Sequence, residues 1–234
     1  MLVYGKNVAE RILKDENLVK NVKSIYVDEV FFQKNKYLFS ENLKSKVKIK
    51  QNRELDNLAK GVHQGIILDM EDYKYTSLNK ILNKENASVI ILDHILDPHN
   101  FGAIIRTAVA ANFDAIIIPN DRQVEVNSTV VKTSVGAVFD INIISVTNIN
   151  NTIKTLKDNG FWIYGTIMNG EDYREVDYNG KVCLVIGNEE KGISKLVKEN
   201  CDFLVSIPIT SKIDSLNASV AAGILIYEVV RNRK

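Results

Sequence analysis

Three polar segments interrupt a sequence that otherwise alternates apolar runs with helical patterns. The first contains Asn100 and Arg106, the second Gly187 and Glu189, and the third begins at Ser215. Each follows an apolar run that is typical of a buried strand. Because ligands bind at the carboxyl ends of the strands in open α/β sheets, side chains that follow strands are the first candidates for a site. Amide, carboxylate, hydroxyl and guanidinium groups placed there could hold a polar ligand and stabilise charge that develops during a reaction.

Arg106 lies in a predicted helix that is apolar on nearly every face. Such a helix is predicted to be buried, and an unpaired guanidinium in it would be costly. We therefore expect Arg106 to have a partner, either a protein carboxylate or a ligand. Gly102 lies one turn earlier on the same face and leaves open space that suits a bulky substrate. Asn100 is a reasonable N-cap for this helix, and capping alone would explain it.

The second segment ends a predicted strand in Gly187 and places Glu189 just before a helix. Glu189 could simply complement the positive end of the helix dipole, which is a common use of a carboxylate. No GxGxxG or GxxxxGK[ST] pattern follows any predicted strand, so the phosphate-binding loops of dinucleotide and nucleoside triphosphate sites are absent from the sequence. A cofactor without phosphate groups remains possible.

The third segment crowds three polar side chains at the entrance to an apolar helix. Ser215, Asn217 and Ser219 stand at alternate positions there. A helix N-terminus needs one such residue as a cap. The excess favours a polar ligand site over a simple cap.

The elements that must position these residues divide into two groups. Within residues 1–70, helix patterns at 7–13, 30–38 and 53–59 alternate with strand patterns at 24–28, 47–51 and 65–70. A polar stretch at residues 71–77 then breaks the apolar pattern. We therefore predict a small α/β domain over 1–70, a linker over 71–86 and a second domain over 87–234. In the second domain, β-branched apolar runs alternate with helical segments, which predicts an open parallel sheet covered on both faces. The predicted strands of this sheet lie at 89–92, 115–118, 142–146, 161–165, 182–186 and 203–207.

Composition narrows the classes of protein that fit. The 234 residues are 45% apolar and 25% charged, which is ordinary for a globular protein. No apolar run approaches the roughly 18 residues of a membrane span, so we expect a cytoplasmic protein without a membrane partner. The two cysteines and three histidines lack metal-ligand spacing, and no metal is expected. Residues 1–70 carry 13 Lys and Arg against 9 Asp and Glu, a basic excess that fits a polyanionic partner.

At the three polar segments, the sequence resembles the SpoU family of RNA ribose methyltransferases, which belong to the trefoil-knotted, TrmH-like superfamily. Three motifs of that family are matched in order by the residues Asn100, Gly102 and Arg106; by Gly187, Glu189 and Gly192; and by Ser215, Leu216, Asn217 and Ser219. The resemblance extends over the whole chain. Features of the first domain, Tyr4 with Gly5 and the run 61–65, are similar in particular to family members that methylate a guanosine 2'-hydroxyl in bacterial 23S rRNA. One departure is the loop after Gly187, where Asn188 and Glu190 stand at positions that often hold small residues in relatives.

The resemblance implies a knotted, parallel-sheet catalytic domain, a small first domain with an L30e-like fold that binds RNA, and a homodimer. It implies S-adenosyl-L-methionine as the cofactor and an RNA, in particular 23S rRNA, as the substrate. The implied catalytic residues are Arg106, Asn100, Glu189 and Asn217. The implied cofactor-binding residues are Gly187, Ile207, Leu216, Ser215 and Asn217.

Alternatives remain open at this point. The same chemistry could act on a tRNA or on another rRNA site, as it does in other members of the family. A non-catalytic RNA-binding protein that keeps the knotted fold is a second possibility, although the intact motif residues argue against it. An oxidoreductase that uses a nucleotide cofactor is disfavoured by the absent phosphate-binding loop.

Overall fold

The computed structural model describes residues 1–59, 61–188, 190–210 and 212–233. Its strands are β1 (Leu2–Tyr4), β2 (Val22–Val27), β3 (Val47–Ile49), β4 (Ile66–Met70), β5 (Ser88–Asp93), β6 (Ala115–Pro119), β7 (Asn142–Val146), β8 (Phe161–Asp172), β9 (Lys181–Gly187) and β10 (Phe203–Ser206). Its α-helices are α1 (Lys6–Lys14), α2 (Glu29–Lys34), α3 (Glu41–Lys44), α4 (Asn52–Leu58), α5 (Asn79–Leu82), α6 (Pro98–Ala110), α7 (Ser128–Thr133), α8 (Ile149–Asp158), α9 (Lys195–Asn200) and α10 (Ala218–Asn232). The chain divides into two compact units, Met1–Lys74 with Val126–Gly136, and Tyr75–Glu125 with Ala137–Lys234.

The first unit is built on a mixed sheet with the strand order β1, β4, β2, β3. β4 pairs antiparallel with both β1 and β2, and β3 pairs parallel with β2. β1 is not among the predicted strands, because three residues are too few to show a periodic pattern. The helix predicted over 30–38 is shorter than expected, since α2 ends at Lys34 and a 3-10 turn follows at Lys36–Leu38.

The segment 126–136 belongs to the first unit although it is distant in sequence from residues 1–74. Asn127 caps α7 by accepting hydrogen bonds from the backbone N–H groups of Thr129 and Val130. The Lys132 ammonium donates to the carbonyl oxygen of Val62 at 2.6 Å and lies 5.1 Å from the centre of the Tyr4 ring. The sequence patterns do not reveal this association, because it depends on contacts between residues about 70 positions apart.

The second unit is built on a six-stranded parallel sheet with the order β10, β8, β9, β5, β6, β7. This confirms the predicted α/β architecture. The central strands are apolar on both faces, and Ile90, Ile116 and Val185 are fully buried. β8 is longer than predicted, because it continues beside β10 after a register shift at Leu204 and Val205. Among the described residues, no helix combines the length and apolarity needed to cross a membrane.

Three helices of the second unit, α6, α8 and α10, begin at side-chain caps. The Asp97 carboxylate accepts from the His99 N–H at the start of α6, with Pro98 in the first helical position. Asn148 caps α8 in the same way, and Asn217 caps α10. These caps fix the points where the chain turns from strand to helix, so they also fix the loops that surround the site.

Candidate active site

The loops after β5 and β9 lie side by side at one edge of the sheet. β5 and β9 are neighbouring parallel strands, and their register places Asp93 opposite Gly187. Because parallel strands end at the same edge, the segment that leads to Asn100 adjoins the segment that follows Gly187. The fold thus brings the first two predicted motifs together across about 90 residues of sequence.

The first and third motifs meet through a direct hydrogen bond. The Asn217 side-chain amide donates from Nδ2 to Oδ1 of Asn100 at 2.9 Å. Asn100 is 7% exposed, so this bond lies in a largely desolvated position. Two predicted catalytic residues that are 117 positions apart are therefore in contact.

Capping accounts for part of this arrangement, at Asn217 but not at Asn100. The helix cap of α6 is Asp97, and Asn100 lies within the first turn of the helix, so the interpretation of Asn100 as an N-cap is wrong. Asn217 is the cap of α10: its Oδ1 accepts from the Ser219 N–H at 3.0 Å and from the Ser219 hydroxyl at 2.6 Å. Its Nδ2 remains available for Asn100. One side chain thus starts α10 and joins it to α6.

Arg106 is exposed, which corrects the expectation that it lies in a buried helix. The neighbouring Ile104 and Ile105 are fully buried, but the face of α6 that carries Arg106 is open. The sequence pattern is misleading here because alanine is apolar but is often exposed. A helix face rich in alanine therefore need not be buried. The guanidinium is therefore accessible to a ligand or to another chain.

A cavity of about 550 Å³ opens beside the motif loops. Its lining includes the predicted cofactor residues Gly187, Ile207, Ser215 and Leu216. Apolar side chains from 166–168, 205–209 and 218–225 form much of the remaining wall, and the charged residues Glu190, Lys191, Lys198 and Asp214 also line it. This volume and mixed lining are typical of small-molecule sites. Glu189, the remaining predicted residue of this loop, lies outside the described residues.

Gly187 can be replaced by no larger residue without a shift of the loop. A Cβ atom built on Gly187 would lie 2.2 Å from the carbonyl carbon of Gly192 and 2.3 Å from the backbone nitrogen of Ile193. The backbone of Gly187 therefore lies close to that of Gly192 and Ile193, and N–H to carbonyl bonds run in both directions between Asn188 and Gly192. This close approach leaves backbone groups at the cavity wall, where they suit a cofactor that is held by main-chain contacts. The residues present thus fit S-adenosylmethionine.

Two side chains that the sequence analysis did not assign hold this loop in place. The Asn188 amide donates from Nδ2 to the His94 carbonyl oxygen at 2.9 Å, and its Oδ1 accepts from the Glu190 N–H at 3.0 Å. The buried Asp93 carboxylate accepts from the Ser194 N–H at 2.7 Å. Asn188 could have been found from its departure from the family pattern. Asp93 carries no signal beyond its place at the end of a strand.

The two cysteines take no part in this chemistry. Cys183 is fully buried, and burial raises the pKa of the Cys201 thiol to about 12. Neither thiol is therefore an available nucleophile near neutral pH. Within the described part of the chain, no group of three or more His, Cys, Asp or Glu side chains is arranged to hold a metal ion.

Two family models match the chain. The model of the SpoU rRNA Methylase family matches residues 87–227, and the model described as RNA 2'-O ribose methyltransferase substrate binding matches residues 2–76. The first match covers more than half of the chain. The chain belongs to the SpoU rRNA methylase family.

Relatives of known sequence and structure agree with this assignment. A protein of Staphylococcus saprophyticus assigned to the TrmH family of tRNA/rRNA methyltransferases is 40% identical over 99% of this chain and 91% of its own length. A protein of the same family from Bacillus subtilis is 43% identical over 77% of this chain and 75% of its own length. The SpoU methyltransferase AviRb from Streptomyces viridochromogenes, solved with S-adenosylmethionine, superposes with a TM-score of 0.82 at 25% identity, covering 100% of this chain and 90% of AviRb.

These similarities confirm the predicted family, the α/β fold with its parallel sheet and substrate-binding first domain, and the cofactor. The protein is an S-adenosylmethionine-dependent RNA methyltransferase of the SpoU and TrmH type. The knot, the limits of the domains and the roles of the individual site residues stay predictions.

Proposed function

We propose that the protein transfers a methyl group from S-adenosylmethionine to a ribose 2'-hydroxyl of RNA, specifically of a guanosine in 23S rRNA. The observation that carries this proposal is the hydrogen bond between Asn100 and Asn217, which joins two motifs beside the cavity lined by Gly187 and Leu216. The substrate-binding model matched by residues 2–76, whose description names 2'-O ribose methylation, supports the choice of acceptor.

Backbone groups at Gly187, Ile207 and Leu216 would hold the adenosyl part of the cofactor, and Ser215 would contact it at the cavity mouth. When bound, S-adenosylmethionine supplies an electrophilic methyl group on a sulfonium sulfur. Asn217 keeps the loop before α10 in position through its bond to Asn100. These residues bind and orient, and they need no ionisation to do so.

Arg106 would hold the acceptor. A ribose hydroxyl is a weak nucleophile, so the site must orient it and stabilise the negative charge that develops on its oxygen. A guanidinium remains protonated in proteins and donates hydrogen bonds. We therefore assign Arg106 to binding the 2'-hydroxyl or an adjacent phosphate, and not to removing the proton. Glu189 would assist Asn100 in orienting Arg106 and the ribose.

We also propose that the protein acts as a homodimer through α6 and α10. These two helices pack against each other, and α10 leaves Val220 and Tyr227 about half exposed, at 50% and 52%. Large apolar side chains on the helix next to Arg106 suit burial against a second copy. Sedimentation equilibrium would show a dimer, and Tyr227→Glu would shift the protein toward monomer if this face is the interface.

The first domain, which we place at residues 1–70 with a linker over 71–86 before the catalytic domain at 87–234, would select the RNA. Its basic excess of 13 Lys and Arg over 9 Asp and Glu suits phosphate contacts. The experiment is to map 2'-O-methyl groups in total RNA from cells with and without the protein. Loss of one methylated guanosine in 23S rRNA is the expected result. Loss of a tRNA site instead would overturn the substrate while leaving the chemistry intact.

A further inference from the structure

A second cavity, of about 810 Å³, lies at the carboxyl ends of β5, β6 and β7. It is lined by the three loops that follow these strands and by one wall of the loop after β9. That wall, formed by Asn188 and residues 190–192, also lines the cofactor cavity on its other side. The second cavity is thus a neighbour of the proposed methyl-transfer site and has no role in the chemistry described above.

The lining of the second cavity is rich in hydrogen-bond acceptors. Asp97, Asp121, Asn148 and Asn150 supply side-chain oxygens, while Arg122 and Lys191 supply positive charge. Four carboxylates in the lining make a free polyphosphate a poor ligand. Leu96, which is 60% exposed, adds an apolar surface in the same opening.

A nucleotide of a single RNA strand has the groups that this lining would recognise. Its base presents N–H donors on one edge and an apolar face, and its phosphate presents negative charge. Proteins read unpaired RNA bases through hydrogen bonds to their Watson–Crick edges. The N-termini of α6 and α8 lie at this side but are capped by Asp97 and Asn148, so Arg122 and Lys191 are the groups that would meet a phosphate.

Guanine fits the acceptors best. Its N1–H and N2–H₂ groups are adjacent donors, and an ionised carboxylate accepts two parallel hydrogen bonds. Asp121, with its side chain 54% exposed, lies at the opening and accepts from Nε of Arg122 at 3.0 Å. The pair offers a carboxylate for the base edge and a guanidinium for the phosphate.

We propose that the second cavity binds one unpaired nucleotide of the substrate RNA, a guanosine near the methylated one in the strand. This inference rests on the proposed function, since it takes RNA as the substrate. The loop of Asn188 and residues 190–192 stands between the two cavities, so the nucleotide in the second cavity is a neighbour of the acceptor and not the acceptor itself. The shared wall also predicts that occupation of one cavity changes the affinity of the other, and by the same factor in both directions.

The direct test titrates the protein, saturated with S-adenosylhomocysteine to fill the first cavity, with GMP and with UMP by calorimetry. GMP binds saturably and more tightly than UMP, and Asp121→Asn weakens GMP binding by about tenfold, as for the loss of one charged hydrogen-bond partner. Asp158→Asn, an exposed carboxylate of the same unit outside both cavities, leaves the affinity unchanged. Absence of saturable GMP binding, or an equal Kd in Asp121→Asn, overturns the proposal.

The second test uses methyl transfer to the RNA. Arg122→Ala raises the KM for RNA severalfold and leaves kcat and the Kd for S-adenosylmethionine unchanged. If the wild type methylates RNA and the KM for RNA is unaltered in both Arg122→Ala and Asp121→Asn, the proposed nucleotide site in the second cavity is overturned and the proposed function is not. Failure of the wild type to methylate RNA would instead overturn the proposed function.

Discussion

Asn100 and Arg106 belong to one helix and one motif, yet their environments in the structure are opposite. Asn100 is buried and bonded to Asn217, whereas Arg106 lies on an exposed face. The region around Asn100 is therefore built by the fold itself. The region around Arg106 is open in the structure, and on our proposal RNA or a second copy of the chain completes it. Substitutions in the two regions should accordingly separate stability and cofactor binding from catalysis.

The largest effect on catalysis is expected from Arg106→Ala. Loss of a donor to the reacting oxygen lowers kcat/KM by about 10²–10³-fold, as for other groups that stabilise developing negative charge. Because the side chain is exposed, the melting temperature and the Kd for S-adenosylmethionine stay near wild type. A tritiated-methyl assay and a thermal melt measure the two quantities. Lys154→Ala, which removes an exposed cation from α8, is the matched control, and equal turnover by Arg106→Ala would refute the role.

Gly187→Ala is expected to have a large effect on stability and cofactor binding, the two properties that Arg106→Ala leaves unchanged. The added Cβ would meet the backbone of Gly192 and Ile193 at under 3 Å, so the loop must move. We expect a loss of about 1–3 kcal/mol of stability and at least tenfold weaker cofactor binding. Calorimetry with S-adenosylmethionine measures the binding.

Gly223→Ala is the control for that prediction. A Cβ on Gly223, in α10, would lie 3.9 Å from Cγ2 of Thr107 in α6, which is an ordinary van der Waals contact. Alanine is the better helix former by about 1 kcal/mol, so this variant should be as stable as wild type or more so. If both glycine variants bind the cofactor like wild type, the close packing at Gly187 does not shape the cavity.

A smaller effect is expected at Asn217, where two variants separate the capping of α10 from the hydrogen bond to Asn100. Asn217→Ala removes the cap of α10 and the donor to Asn100, and should cost about 1–2 kcal/mol in the free energy of unfolding. Asn217→Asp keeps an oxygen for the cap but loses the amide donor. Chemical denaturation and the methyl-transfer rate measure both variants. If Asn217→Asp retains full activity, the bond between the two side chains is not needed for catalysis.

The sequence could predict the parts of the site that depend on local pattern. Apolar runs in the sequence predict strands β5 and β9, and the polar residues that follow these strands can be read from the sequence. The contact between Asn100 and Asn217 could not be predicted from pattern, because it depends on how α6 and α10 pack. The exposure of Arg106 was missed for a related reason: a helix rich in alanine has the same composition whether or not a partner covers it. The placement of residues 126–136 in the first unit likewise depends on distant contacts.

The smallest effect is expected at Asn188, which pins the loop shared by both cavities. Asn188→Ala removes the bond to the His94 carbonyl and the acceptor for the Glu190 N–H, and each such bond contributes about 1 kcal/mol. We expect cofactor binding to weaken by roughly three- to tenfold, because the loop must be ordered at the moment of binding. Asn188→Ser restores a small residue as in relatives and keeps an acceptor for the loop N–H, so it should lie between alanine and wild type. Calorimetry measures the Kd for S-adenosylmethionine of the wild type and of the two variants. Identical affinities would show that the backbone hydrogen bonds between Asn188 and Gly192 hold the loop without this side chain.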